Sequence, residues 1–244
     1  MMQHNKQLIY PLLWLCLWLL SLLAFSAYAS TAKAAEKNSW QFDVFLDDSK
    51  IGYHHFSRET IDGLEQISSE AEFNVRFMFF TIYSYRHSNL EHWGNGCLVK
   101  LESRTDDNGD AQFVKLSRYD RQSIIETAQV RMTSDDCIRS FAYWNLSHLH
   151  ASPLLNSQTG ELMDIRLRKL GEETLQQYQD SVDTIRYQLV GKDIQIDLWY
   201  TQDEQWLALQ STTENGSHIR YQLKPATAEH TAIRSDVKNR EPKQ

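Results

Sequence analysis

Trp40-Gln41-Phe42-Asp43-Val44-Phe45-Leu46 sets an apolar side chain at every second position, with Gln41 and Asp43 in between. A period of two belongs to an extended strand, whose successive side chains point to opposite sides, one buried and one wetter. The same reading holds for Ile194, Ile196, Leu198 and Tyr200, and again for Ile219, Tyr221 and Leu223. Turn-forming clusters punctuate these runs: Asp47-Asp48-Ser49-Lys50, Ile61-Asp62-Gly63, Gly94-Asn95-Gly96, Asp107-Asn108-Gly109-Asp110, Val190-Gly191-Lys192 and Asn215-Gly216. Asn-Gly and Asp-Gly pairs supply the positive φ angles of tight hairpins. The pattern predicts a mainly β domain built as a single curved antiparallel sheet. It reads as a half-barrel or meander of about eight to eleven strands with one or two short helices. The strand–helix–strand alternation of a parallel sheet is missing.

Residues 73–85 depart from simple alternation. Phe73, Val75, Phe77, Phe79, Tyr83 and Tyr85 form one apolar face, and around Met78, Phe80 and Ile82 the other face turns apolar too. A single strand of that length would span about 43 Å, longer than strands usually run. The segment is therefore either one strongly bent strand or two strands broken near Phe80-Thr81. Apolar residues on both sides call for something packed on each, such as a helix or a ligand held by a curved sheet. Ser134-Asp135-Asp136 offers a helix N-cap ahead of Ile138, Phe141 and Ala142, which predicts one short helix. Residues 172–180 are rich in helix formers with a thin apolar face and predict a second, on the surface.

Outside this body the chain changes character. Residues 1–29 read as a signal peptide: Lys6 supplies a positive start, Leu12 to Phe25 an apolar run, and Ala27-Tyr28-Ala29 a small-x-small cleavage site. The expectation is export to the periplasm, a short linker over 30–38, a β domain over 39–224, and a disordered polar tail over 225–244. Cleavage removes Cys16 and leaves Cys97 and Cys137 in an oxidising space, which predicts a disulfide between them. Closing a loop of roughly 40 residues contributes about 4 kcal/mol in the chain-entropy model. The 244-residue chain has 25 basic against 32 acidic side chains, a net charge of −7. No clustered basic stretch offsets this, which argues against nucleic acid as a partner.

The sequence carries no phosphate loop, no Gly-x-Ser-x-Gly elbow, no His-Glu-x-x-His and no Cys-x-x-Cys. No catalytic residue, metal site or cofactor is assigned. His54-His55 point to opposite faces of a strand. His148 and His150 have a spacing zinc could use, but no third ligand is near in sequence. Asp106, Asn108 and Asp110 imitate the start of a calcium loop, yet Ala111 stands where glycine belongs and Ser117 where a bidentate Glu belongs. That segment reads as a hairpin turn. His87, Glu91 and His92, near Trp93, form a candidate proton-transfer set. The aromatic supply is the feature closest to a function, because apolar pockets are commonly lined this way with a few polar groups setting orientation.

Several segments together carry a resemblance: Phe79-Phe80-Thr81-Ile82-Tyr83, Gly96-Cys97-Leu98, Ser103-Arg104-Thr105-Asp106-Asp107-Asn108-Gly109, Cys137-Ile138-Arg139-Ser140-Phe141-Ala142-Tyr143-Trp144-Asn145, Leu155-Asn156-Ser157-Gln158-Thr159-Gly160 and Asp197-Leu198-Trp199-Tyr200. They resemble an uncharacterised family of secreted bacterial proteins, domain of unknown function 6134. The resemblance implies a Gram-negative envelope protein and carries over no catalytic residue. A more distant likeness, on architecture alone, is to periplasmic lipoprotein carriers, whose half-barrel sheets hold acyl chains. The expectation is a periplasmic, non-enzymatic binding protein for a hydrophobic or lipid-like small molecule. Phe77, Phe79, Tyr83, Trp144 and Trp199 would line its cavity. Two alternatives stand beside it: an envelope enzyme, a hydrolase or isomerase using His87, Glu91 or His92, and a scaffold whose sheet edge or loop at 156–161 docks an envelope protein partner.

Overall fold

The computed structural model describes residues 38–77, 80–213 and 215–225. The expected signal peptide and nearly all of the expected tail lie outside these residues. Sixteen strands are present among them: β1 (Asn38–Leu46), β2 (Ser49–Ile61), β3 (Leu64–Phe77), β4 (Phe80–Gly94), β5 (Cys97–Asp107), β6 (Asp110–Tyr119), β7 (Gln122–Thr127), β8 (Arg131–Ser134), β9 (Arg139–Ser140), β10 (Leu154–Leu155), β11 (Leu162–Met163), β12 (Arg166–Gln177), β13 (Asp180–Val190), β14 (Gln195–Tyr200), β15 (Trp206–Thr212) and β16 (His218–Leu223). Thirteen join one antiparallel sheet in the order β12-β13-β14-β15-β16-β1-β2-β3-β4-β5-β6-β7-β8. The expected eight to eleven strands fall short, because short strands such as β8 leave too little alternation to register in sequence.

Consecutive strands pair throughout, and β16 returns to lie beside β1. A meander results, with the first strand in its middle. Asp62-Gly63, Asn95-Gly96 and Asn108-Gly109 all adopt positive φ and close the two-residue hairpins that the sequence announces. Register shifts at Val44/Phe45, Val75/Arg76, His92/Trp93, Lys169/Gly171 and Trp199/Tyr200 mark bulges, and bulges bend and twist a sheet. Gly52 is required where β2 meets β3, since a Cβ there would lie 1.8 Å from the Glu72 carbonyl oxygen.

The two wings of the sheet share one core. Leu101, Leu116 and Ile125 from one wing belong to the same buried cluster as Leu189, Leu198 and Trp206 from the other. At about 4.8 Å per strand those wings would lie far apart in a flat sheet, so the sheet must curl around its apolar face. Residues 135–165 fill the space it encloses. They contribute Ile138, Ala142, Trp144, Leu146, Leu149, Leu154 and Leu155 to that cluster. Within them β9, β10 and β11 form a separate three-stranded sheet in which β10 and β9 run parallel.

Both helix expectations are corrected here. Residues 134–142 hold the end of β8 and all of β9, because Ile138 must enter the core while Leu98 N–H donates to its carbonyl at 2.9 Å. Residues 172–177 belong to β12, paired with β13. Helix-forming side chains there are overruled by a cross-strand partner. Among the described residues the helix that does form is a 3-10 turn, Leu146–His150, capped by the Asn145 side chain, which accepts from Ser147 N–H. Of the two readings of residues 73–85, two strands is the observed one, with the break after Phe77, earlier than Phe80-Thr81. Cys97 and Cys137 form a disulfide that ties the start of β5 to the inserted segment.

Candidate functional site

Register arranges the core-facing side chains in rows across the strands. One row runs Phe42, His54, Ala71, His87 and Thr105 along β1 to β5. The next runs Tyr221, Val44, Gly52, Phe73 and Tyr85. Below the histidine row come Trp40, Phe56, Ser69, Asn89 and Ser103. A partly polar layer therefore crosses the interior between the large core cluster and a smaller one of Val44, Ile51, Ala71, Phe73 and Tyr85.

At the middle of this layer, aromatic rings form a continuous chain. Phe42 touches Trp206 at 4.3 Å and Tyr221 at 5.9 Å between centroids. His54 stacks on Phe56 at 4.1 Å, Phe56 meets Trp206 edge-on at 5.1 Å, and Tyr143 of the inserted segment lies 5.4 Å from Trp206. Phe42 and Trp206 are fully buried. His54, Phe56, Tyr143 and Tyr221 face inward yet keep part of their surface uncovered. Inward-facing aromatic residues that their own core does not cover completely are what a ligand surface requires.

Polar atoms at this surface are few and neutral. His54 Nδ1 lies 3.2 Å from the Tyr221 hydroxyl, and its buried Nε2 has no hydrogen-bond partner among the described residues. Burial pushes the His54 imidazole well below its ordinary range, helped by the neighbouring His87. It likewise pushes the Tyr221 and Tyr143 hydroxyls up. His87 is held to about 4 by burial, with Nδ1 2.9 Å from Thr105 Oγ1. Neutral His54 can offer Nε2 as one donor or one acceptor, according to tautomer. The arrangement can grip a largely apolar molecule and orient one uncharged polar group.

The residues expected to line a cavity are not gathered around one. Trp144 is packed into the main core, edge-on to Trp93 at 5.6 Å. Trp199 faces the opposite side of the sheet, where its Nε1 donates to Glu173 and the Arg186 guanidinium lies 5.2 Å above its ring. There the β12–β13 hairpin lies over β14 and β15, with Gln177 donating to the Leu207 carbonyl at 2.8 Å and Tyr178 to Asp43 at 3.0 Å. Tyr83 packs against the smaller cluster. Phe77 ends β3, and Phe79 lies outside the described residues. Strand alternation separates Leu198 from Trp199, which composition alone could not do. The chemistry-bearing histidine His54 stood unused in sequence because its neighbours arrive from β16 and the inserted segment.

The proton-transfer set also divides. His87 and Glu91 share the inner face, and His92 occupies the other. Glu91 is buried and accepts from Asn89 at 2.9 Å and Trp93 at 2.8 Å. Burial raises its carboxyl, while the bonds from Asn89, Ser140 and Trp93 oppose that rise. This is the bonding of a structural carboxylate that organises a strand end. His148 stacks on Trp93 at 4.6 Å, whereas His150 is exposed. Asp106 accepts from Gly109 N–H at 2.8 Å, closing the Asn108-Gly109 turn. On the outer face of β1–β6 an open groove of about 1330 Å³ is lined by Tyr53, His55, Glu70, Glu72, Arg86 and Arg104 among others. Its carboxylates and cations roughly balance, and Arg86 already pairs with Glu72 at 3.9 Å.

Comparison with known proteins places this fold. No curated protein matches the chain. A crystal structure described as a beta-barrel-like protein of domain of unknown function DUF1849, from Brucella abortus, is similar over 76% of this chain and 94% of its own, with a TM-score of 0.57 and 7% identity. That likeness speaks for the architecture. A family model, domain of unknown function (DUF6134), matches residues 42–224, which span every strand from within β1 to β16. The chain therefore belongs to the DUF6134 family of uncharacterised domains.

Proposed function

We propose that this protein is an exported, non-enzymatic binding protein that holds a hydrophobic or lipid-like molecule against the inner aromatic surface. The observation that carries this reading is the set His54, Phe56, Tyr143 and Tyr221, inward-facing yet incompletely covered, on a floor of Phe42 and Trp206. This set takes the place of the cavity residues first expected. Apolar surface left uncovered on these residues would gain free energy when an apolar ligand covers it, at roughly 25 cal/mol per Å² removed from water. The neutral His54–Tyr221 pair would meet one hydroxyl, carbonyl or ester group. The Cys97–Cys137 bridge supports an oxidising compartment such as the periplasm.

The test is native mass spectrometry and solvent extraction of protein purified from its own envelope, followed by titration with a dansyl-labelled undecanoic acid. A copurifying amphiphile is expected. Saturable probe binding should weaken about tenfold or more in a Phe56→Ala variant, a loss of about 1.4 kcal/mol or more. Protein free of any amphiphile, with no saturable probe binding, overturns the proposal.

A further inference from the structure

The outer face of β1–β6 carries the open groove of about 1330 Å³, on the opposite side of the sheet from the interior aromatic surface. Strand register lays out its floor in rows. One row runs Gln41, His55, Glu70, Ser88, Arg104 and Phe113, one residue from each of the six strands. At about 4.8 Å per strand it spans roughly 24 Å. The next row begins Ser39, Ser57 and Ser68. These serines and Ser88 keep the floor low, so a bound molecule can approach the sheet closely and still meet hydroxyl groups. Four carboxylates (Glu70, Glu72, Glu102 and Asp106) face three cations, Arg86, Arg104 and Lys115. Glu70 and Arg104 stand two strands apart with the exposed Ser88 between them. Neither side chain makes an ion pair or a hydrogen bond among the described residues. Half-buried Tyr53 and Phe113 flank the groove from β2 and β6, and the Tyr53 hydroxyl donates to Glu72.

We propose that this groove binds a neutral oligosaccharide chain lying across the strands. The balance of charge selects the class. A polyanion would meet the four carboxylates and a polycation the three cations. An apolar chain would strip water from every one of these groups without replacing its hydrogen bonds. A polyhydroxylated chain carries donors and acceptors on each unit. It can donate to Glu70, accept from Arg104 and bond Ser88 between them, and hydrogen bonds to charged groups are the stronger kind. Tyr53 and Phe113 supply apolar surface on which the C–H faces of sugar rings pack. The groove's length across six strands suits a chain of several rings. The inference is independent of the interior ligand site, which occupies the other face of the sheet.

The test is calorimetric titration with cellotetraose, maltotetraose and N-acetylated chitotetraose, beside polygalacturonate as an anionic chain. The wild-type protein should bind at least one of the neutral tetrasaccharides with a Kd below about 1 mM. Because the ligand is uncharged, that affinity should change less than about twofold when salt is raised to ~1 M. A Ser88→Trp variant, which fills the middle of the floor, and a Glu70→Ala/Arg104→Ala variant should each bind at least about tenfold more weakly. All three positions are exposed, so melting temperature and binding of the dansyl fatty acid should stay unchanged. No binding of any neutral tetrasaccharide, equal binding by wild type and both variants, or binding confined to polygalacturonate and abolished by salt overturns the proposal. Because the fatty-acid probe is read separately, an empty interior site and an empty groove give different results.

Discussion

The two ends of the enclosed core are built differently. At the end where β4 turns into β5, wall and inserted segment interlock. Trp93 is 2% exposed, lies edge-on to Trp144 and stacks on His148, and Cys97–Cys137 closes the seam. At the other end the cluster is small, and Leu46, Val75, Tyr83, Ile219 and Tyr221 around it are only half-buried. Beyond it stand Phe80 and Ile82, largely bare. The lesson is that stability and exposure are divided along the strands. One end is sealed by an insertion packed against both wings, and the other keeps the apolar surface that function can use. The polar layer of His54, His87 and Thr105 lies between them.

Substitutions should break this contrast in proportion to the packing they remove. Trp93→Ala is expected to cost the most, toward the top of the roughly 3–5 kcal/mol range for a large aromatic, because it also strips a donor from buried Glu91. Denaturant unfolding would show it, and a cost below about 1 kcal/mol would mean the sealed end is not what holds the fold. Next comes the cystine: the separation of 40 residues corresponds to about 4 kcal/mol in the loop-entropy model. Comparing melting with and without reductant measures this, and a reductant-insensitive transition would contradict it.

The layer between the ends predicts a pH effect. His87 is lowered from 6.5 to about 4 by burial, so the unfolded chain takes up its proton first. Its contribution is fully present above pH ~6.5 and is lost as pH falls toward 4, up to about 3 kcal/mol. Unfolding free energy measured between pH 7 and 4 should fall less steeply in a His87→Gln variant than in wild type. Identical slopes would show that His87 is solvated in the folded protein. The smallest effect belongs to the open end. Phe80→Ser should change unfolding free energy by less than about 0.5 kcal/mol, as exposed positions do, and a larger loss would mean that Phe80 is packed.

Much of the architecture was legible in the chain. Alternation at Trp40–Leu46 and around Ile196, with the Asn-Gly and Asp-Gly turns, marks antiparallel hairpins because strand sidedness and turn dihedrals are local properties. The same locality misled at residues 172–177. Glu172, Gln176 and their neighbours favour a helix in isolation, yet pairing with β13 outweighs fractions of a kcal/mol per residue. The aromatic site was the least legible part. Trp199 and Tyr200 are adjacent in sequence but occupy opposite faces, and Tyr221 meets His54 from 167 residues away.

What the amino-acid sequence determined alone was the β class, the hairpin turns and the pairing of the two cysteines beyond the expected leader. The tertiary structure alone decided that β16 would return beside β1, that residues 135–165 would enter the curled sheet, and that Phe42, His54, Phe56, Tyr143, Trp206 and Tyr221 would share one surface. Backbone angles are chosen residue by residue. Which distant side chains share a face depends on register and bulges accumulated over many strands, and no single stretch of sequence contains that sum.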